Sequence, residues 1–104
     1  MINIINKKFT GKTFAEINAG IGGGRLALES SGAKCVYAYE ADRHAAKVYE
    51  ENFGEAPEKE LKASDVPEHD ILLIKIRFED LKKITTKVDT KADNIISELS
   101  NVVN

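Results

Sequence analysis

The chain has 104 residues, of which 42% are apolar and 31% charged, with a formal net charge of −2 and a pI near 5.7. These figures suit one small globular domain with a modest core, and they exclude attraction to nucleic acid through bulk positive charge. The single cysteine, Cys35, excludes an internal disulfide, and with no secretion signal in the sequence the expected location is the cytoplasm; no apolar run approaches the length of a membrane span.

In chain order, residues 13–17 (Thr-Phe-Ala-Glu-Ile) read as a first strand. Ala19-Gly20-Ile21-Gly22-Gly23-Gly24 then forms a glycine-rich turn, and residues 25–31 read as a helix burying Leu26, Ala27 and Leu28. Gly32 suits the left-handed conformation that ends a helix. Residues 34–39 are apolar or aromatic almost without a break, as in a parallel strand covered on both faces. Asp42 is placed to cap a helix running to about Asn52, with Ala45, Val48 and Tyr49 at helical spacing and Gly54 and Pro57 as stops.

Residues 58–68 are polar and loop-like, with a short strand expected near Leu61, and residues 70–74 form the clearest buried strand. This alternation predicts an α/β fold: a Rossmann-like parallel sheet with flanking helices in a single small domain. Beyond Ile74 the character changes. Leu81, Val88, Ile95 and Val102 recur every seven residues, with Ile84, Ala92 and Leu99 beside them. The stripe fits a long helix or a helix pair; the β-branched residues Thr85, Thr86 and Val88 favour a further strand followed by a helix to about Val103.

The turn carries the chemistry. A glycine-rich turn between strand and helix lets backbone N–H groups approach a ligand at the positive end of the helix dipole. An acid about 20 residues on, at the end of the next strand, can hold a ribose hydroxyl pair, and Glu40 stands there. By itself the glycine pattern is a weak signal, and Glu40 also has a plain reading as a solvated strand-end acid. His44 and His69 lack ligand-spaced neighbours, so no metal site is expected. The basic run at Lys75, Arg77, Lys82, Lys83, Lys87 and Lys91 reads as a solvated face.

Residues 1–74 resemble the N-terminal part of bacterial DNA cytosine-5 methyltransferases. The matching stretches are Ala19-Gly20-Ile21-Gly22-Gly23, Arg25-Leu26-Ala27-Leu28-Glu29-Ser30, Val48-Tyr49-Glu50, Asn52-Phe53-Gly54-Glu55 and Pro67-Glu68-His69-Asp70-Ile71-Leu72. The resemblance implies S-adenosylmethionine as cofactor, held by Ala19, Gly20, Ile21, Gly22 and Gly23 at its methionine part, by Glu40 at its ribose, and by Glu60 near the adenine amino group.

The departures from the family cluster on the same site. Asn18 and Ala41 stand where the family carries aromatics against the adenine, Gly24 replaces a usual Phe, and Glu60 replaces an Asp. Losing two rings removes roughly 1–3 kcal/mol each, or ~10²-fold in affinity. After the last matching strand the family continues with Gly-Phe-Pro-Cys-Gln, whose cysteine attacks cytosine. This chain reads Ile74-Lys75-Ile76-Arg77-Phe78-Glu79, and a phenyl ring at Phe78 is no nucleophile.

Residues 1–74 are thus expected to be a methyltransferase-like half, and 75–104 a divergent tail that completes the fold or forms an interface. The functional expectation is a truncated or degenerate methyltransferase domain with weak or lost S-adenosylmethionine binding, no catalytic residues and no methyl transfer alone. The alternative is a non-enzymatic α/β scaffold, natural or engineered, or a self-associating module. Expected partners are a second copy or a second methyltransferase chain through 81–103; DNA binding alone and membrane association are not expected.

Overall fold

The computed structural model describes residues 7–76 and Ile96. Three strands, β1 (Thr13–Ile17), β2 (Lys34–Tyr39) and β3 (Ile71–Ile74), pair in parallel in the order β2-β1-β3. Helix α1 (Gly23–Ser30) joins β1 to β2, and α2 (Arg43–Phe53) follows β2. Beyond α2, Glu58 makes a lone parallel bridge to Tyr39, with the Glu58 N–H donating to the Ala38 carbonyl at 2.8 Å. The chain therefore moves outward from β1 to β2 to Glu58, then returns to the far side of β1 as β3. The order reverses between β1 and β3, and in open α/β sheets the crevice at the carboxyl ends of such strands is where ligands bind.

The two sheet faces differ in chemistry. Ala15 and Ile17 of β1 and Tyr37 and Tyr39 of β2 form one apolar cluster with Leu61 and the helical residue Ile96, each buried. The opposite face carries Glu16, Cys35 and Leu73 and receives α1 and α2. The two sets separate because β2 has an extra residue: Phe14 pairs with Cys35, but Ala15 pairs with Tyr37, so Val36 is bulged out.

β1 and β2 fall on the residues that the apolar runs predict, and α2 keeps its Asp42 cap, whose carboxylate accepts from the His44 and Ala45 N–H groups. Four expectations are corrected. α1 starts two residues early, inside the glycine turn, because Gly22 serves as its N-cap. Its apolar residues are not a buried stripe: Leu26 is 51% exposed and no α1 residue is buried. The helix instead approaches the sheet through Gly24, where a Cβ would overlap Leu73, and through Arg25. No strand forms at Leu61; that side chain is buried under the sheet and residues 63–65 make a 3₁₀ turn. Asp70 stands just outside β3, its carboxylate accepting from the Thr13 N–H at 2.8 Å and so pinning β3 to the start of β1. The heptad stripe, the alternative strand at 84–88, Phe78 and the 81–103 interface lie outside the described residues. Ile96, which the stripe omitted in favour of Ile95, is the described tail residue that enters the core.

Candidate functional site

β1 delivers the chain into a tight turn. Asn18 takes a positive φ of 59°, and its side-chain N–H donates to the Lys75 carbonyl at 2.9 Å. Lys75 in turn donates its backbone N–H to Ile17 at 3.1 Å. The ends of β1 and β3 are thus tied on both sides of the crevice. Gly20 and Gly22 follow with φ of 61° and 100°, a region that side chains with a Cβ rarely enter. At Gly22 the constraint is double, since a Cβ would also overlap the Phe53 ring of α2. Asn52 secures the outer wall by donating to the Ile21 carbonyl at 3.0 Å.

Glu40, at the end of β2, reaches back to this turn. One carboxylate oxygen accepts from the Gly20 N–H at 2.8 Å and the other from the Asp42 N–H at 2.8 Å. Each oxygen keeps a further lone pair for a ligand hydroxyl. The spacing of 20 residues between the glycine turn and the acid therefore closes into direct contact. Ala19 and Gly22 are buried, while Ile21 is 57% exposed and Gly23 opens to solvent; the Ala19, Gly20 and Gly22 N–H groups are bonded to Tyr39, Glu40 and Ala19. A cleft of about 390 Å³ opens beside Glu40 and Ala41, bordered by Arg43, Lys47 and Lys59. Glu60 lies two residues beyond the Glu58 bridge, with an exposed side chain; the structure records no bond from it to the turn.

Beneath the turn lies a charged group that the sequence reading passed over. Glu16 is 3% exposed, and one of its carboxylate oxygens has no hydrogen-bond partner. Burial pushes its pKa up to about 7 from 4.5, against the opposing pull of the Arg25 and Lys75 charges. Its other oxygen lies 3.4 Å from where a Cβ on Gly24 would stand, so the space of the usual Phe is taken by Leu73 and this carboxylate. The signal was present in the sequence as one acid inside an apolar strand.

Arg25 organises the helix side. Its guanidinium pairs with Glu29 at 3.2 Å and Glu55 at 2.6 Å, donates to the Tyr49 hydroxyl at 3.2 Å and lies 4.6 Å from the Phe53 ring centroid. Burial works against its charge, yet the hydrogen bonds to Tyr49 and Glu55 outweigh it and hold Arg25 protonated. Cys35 sits nearby, half-buried, with its Sγ 4.0 Å from the Tyr49 hydroxyl. Burial raises its pKa despite the nearby Arg25, which is the setting of an inert packing thiol and not of a nucleophile. Among the described residues no group of three or more His, Cys, Asp or Glu could hold a metal ion, and no helix is long and apolar enough to cross a membrane.

Comparison with known proteins agrees with this architecture. The profile of the C-5 cytosine-specific DNA methylases matches residues 12–75. The chain is similar to the Type II methyltransferase M.HhaI of Haemophilus parahaemolyticus, with 52% identity over 75 residues, or 69% of this chain and 23% of that one. It is 46% identical to M.DsaV of Dactylococcopsis salina over 63 residues, covering 58% and 18%. With M.BsuFI of Bacillus subtilis the identity is 44% over 64 residues, covering 59% and 16%. The chain spans less than a quarter of the length of these relatives. The matched segment runs from just before β1 to Lys75 and contains the turn, Glu40 and the paired strand ends, so the chain belongs to the C-5 cytosine-specific DNA methylase family.

Proposed function

We propose that the glycine turn and Glu40 form a weak site for S-adenosylmethionine or its demethylated product, and that this polypeptide by itself transfers no methyl group. The observation that carries the reading is the 2.8 Å contact between Glu40 and the Gly20 N–H. It supports the reading by joining an acid suited to a ribose diol to the glycine turn, at the carboxyl end of β1 where strand order reverses. A cleft of about 390 Å³ borders Glu40 on its α2 side, lined by Ala41, Arg43, Lys47 and Pro57 and by no residue of the glycine turn. Weak affinity follows from Asn18 and Ala41, which offer no ring for an adenine to pack on. The lack of turnover follows from the sequence after β3, which supplies no sulfur nucleophile.

Calorimetric titration of the full chain with S-adenosylhomocysteine tests the site. Saturable binding in the high-micromolar to millimolar range is expected, with at least about tenfold loss in Glu40→Ala, since a hydrogen bond to a charged group contributes ~1.5–3 kcal/mol. Flat titrations of the folded wild type would remove the site. Incorporation of labelled methyl into DNA by the purified chain would remove the claim of inactivity.

A second reading, association with another copy, is favoured by three exposed apolar side chains, Ile21, Leu26 and Val48 at 57%, 51% and 37%. Sedimentation at rising concentration is expected to show a mass increase that Leu26→Glu and Val48→Glu together reduce. A strict monomer throughout would rule this second reading out.

A further inference from the structure

Lys75 is the first residue beyond β3, and its position does not depend on a flexible side chain alone. Its N–H is bonded to Ile17 and its carbonyl to Asn18, so the backbone is locked at the mouth of the crevice. From there the side chain runs over the turn. The ammonium lies 3.6 Å from the point where a Cβ would stand on Gly20, the same residue whose N–H is held by Glu40. Lys75 makes no ion pair or side-chain hydrogen bond with the described residues, and its charge is felt by the buried Glu16 beneath.

An adenosyl ligand with its ribose at Glu40 must run its 5′ substituent past Gly20, and so past this ammonium. What differs between the methyl donor and its product is the charge on sulfur at the 5′ position. S-adenosylmethionine carries a sulfonium cation there; S-adenosylhomocysteine carries a neutral thioether. Their ribose, base, amino group and carboxylate are the same, so Glu40 and the backbone treat both alike.

We infer that Lys75 makes this a site for the neutral adenosyl thioether and against the sulfonium methyl donor. The inference rests on the adenosyl-site reading above and adds a specificity determinant to it. Two positive charges brought together in this crevice, at an effective dielectric between that of a protein surface and that of water, repel enough for a discrimination of about tenfold. The titrations are made at pH 6, below the Glu16 pKa of about 7, so that its carboxyl is mostly neutral and does not offset the ammonium.

The test is a pair of titrations on the full chain, with S-adenosylmethionine and S-adenosylhomocysteine, repeated on Lys75→Met and Lys75→Gln. Adenosine serves as the ligand without a sulfur substituent. The wild type is expected to bind the thioether about tenfold more tightly than the sulfonium, and both variants to bring the ratio near one while adenosine affinity stays constant. Equal affinities in the wild type, or a preference that survives both substitutions, would overturn the role of Lys75 and leave the adenosyl site standing. No binding of any of the three ligands to the folded chain would overturn the site and the inference together. Lys75 is exposed, so both variants are expected to fold, and thermal melts identify a variant that does not.

Discussion

Gly22→Ala is expected to lower the stability of the domain by about 3 kcal/mol or more, although it exchanges only one hydrogen for a methyl group. Two costs add. The backbone holds a φ of 100°, which an alanine adopts only under strain, and the new methyl would overlap the Phe53 ring. Phe53 cannot swing away freely, because it packs on Tyr49 with ring centroids 4.8 Å apart and lies under the Arg25 guanidinium. Urea denaturation followed by circular dichroism measures the effect. Gly23→Ala is the control, since a Cβ there meets nothing within 4 Å. Equal midpoints for the two variants would show that the turn does not depend on the Gly22–Phe53 contact. A small domain has only ~5–15 kcal/mol of net stability, so the Gly22 variant is expected to be partly unfolded at 37 °C.

Glu16 governs the second large effect, and its sign is opposite to that of most carboxylates. In the folded chain its pKa is raised to about 7, above the 4.5 of an exposed glutamate. Between these values the folded state binds more protons than the unfolded one, so stability falls as pH rises. The contribution is complete below about pH 4.5 and is lost as pH passes through 7. The difference amounts to about 3 kcal/mol at pH 8. Glu16→Gln removes the ionisation while keeping the shape, and is expected to exceed the wild type in stability by about 2 kcal/mol at pH 8, with little difference at pH 5. Denaturant melts of both proteins across this range decide it. Parallel pH profiles would show that Glu16 stays ionised throughout.

Local signals with one physical cause were legible in the sequence. β1 and β2 are bounded by turn residues and are apolar enough to define themselves. Asp42 announces α2 because its carboxylate, like the side chains of Asn and Ser, can accept from the first N–H groups of a helix, and Gly54 ends it. The contact between the turn and Glu40 was legible as a spacing, because a parallel strand pair joined by one short helix brings the two carboxyl ends side by side. The α1 stripe misled because amphipathic spacing marks a face without saying what covers it. Here the helix approaches the sheet through a glycine and an arginine. The Leu61 strand failed for a similar reason: burial under the sheet explains its apolar character without ladder hydrogen bonds. Glu16, Arg25 and Lys75 were missed as a group. Their proximity arises from three separate elements, and no pattern within any one of them encodes it. Ile96 in place of Ile95 is a one-residue shift of helical phase, below what a seven-residue repeat resolves.

The unpaired Val36 in β2 has an outcome larger than its size. Were Val36 retained but paired, strict alternation would set it beside Ala15 and Ala38 beside Ile17, and would turn both tyrosines toward Glu16. One spare amino acid thus works as a half-step in the pleat, sorting phenol rings into the greasy layer and leaving small groups opposite the acid. Pairing Val36 in regular register would exchange the contents of the domain's two layers, without altering the composition of either neighbouring strand.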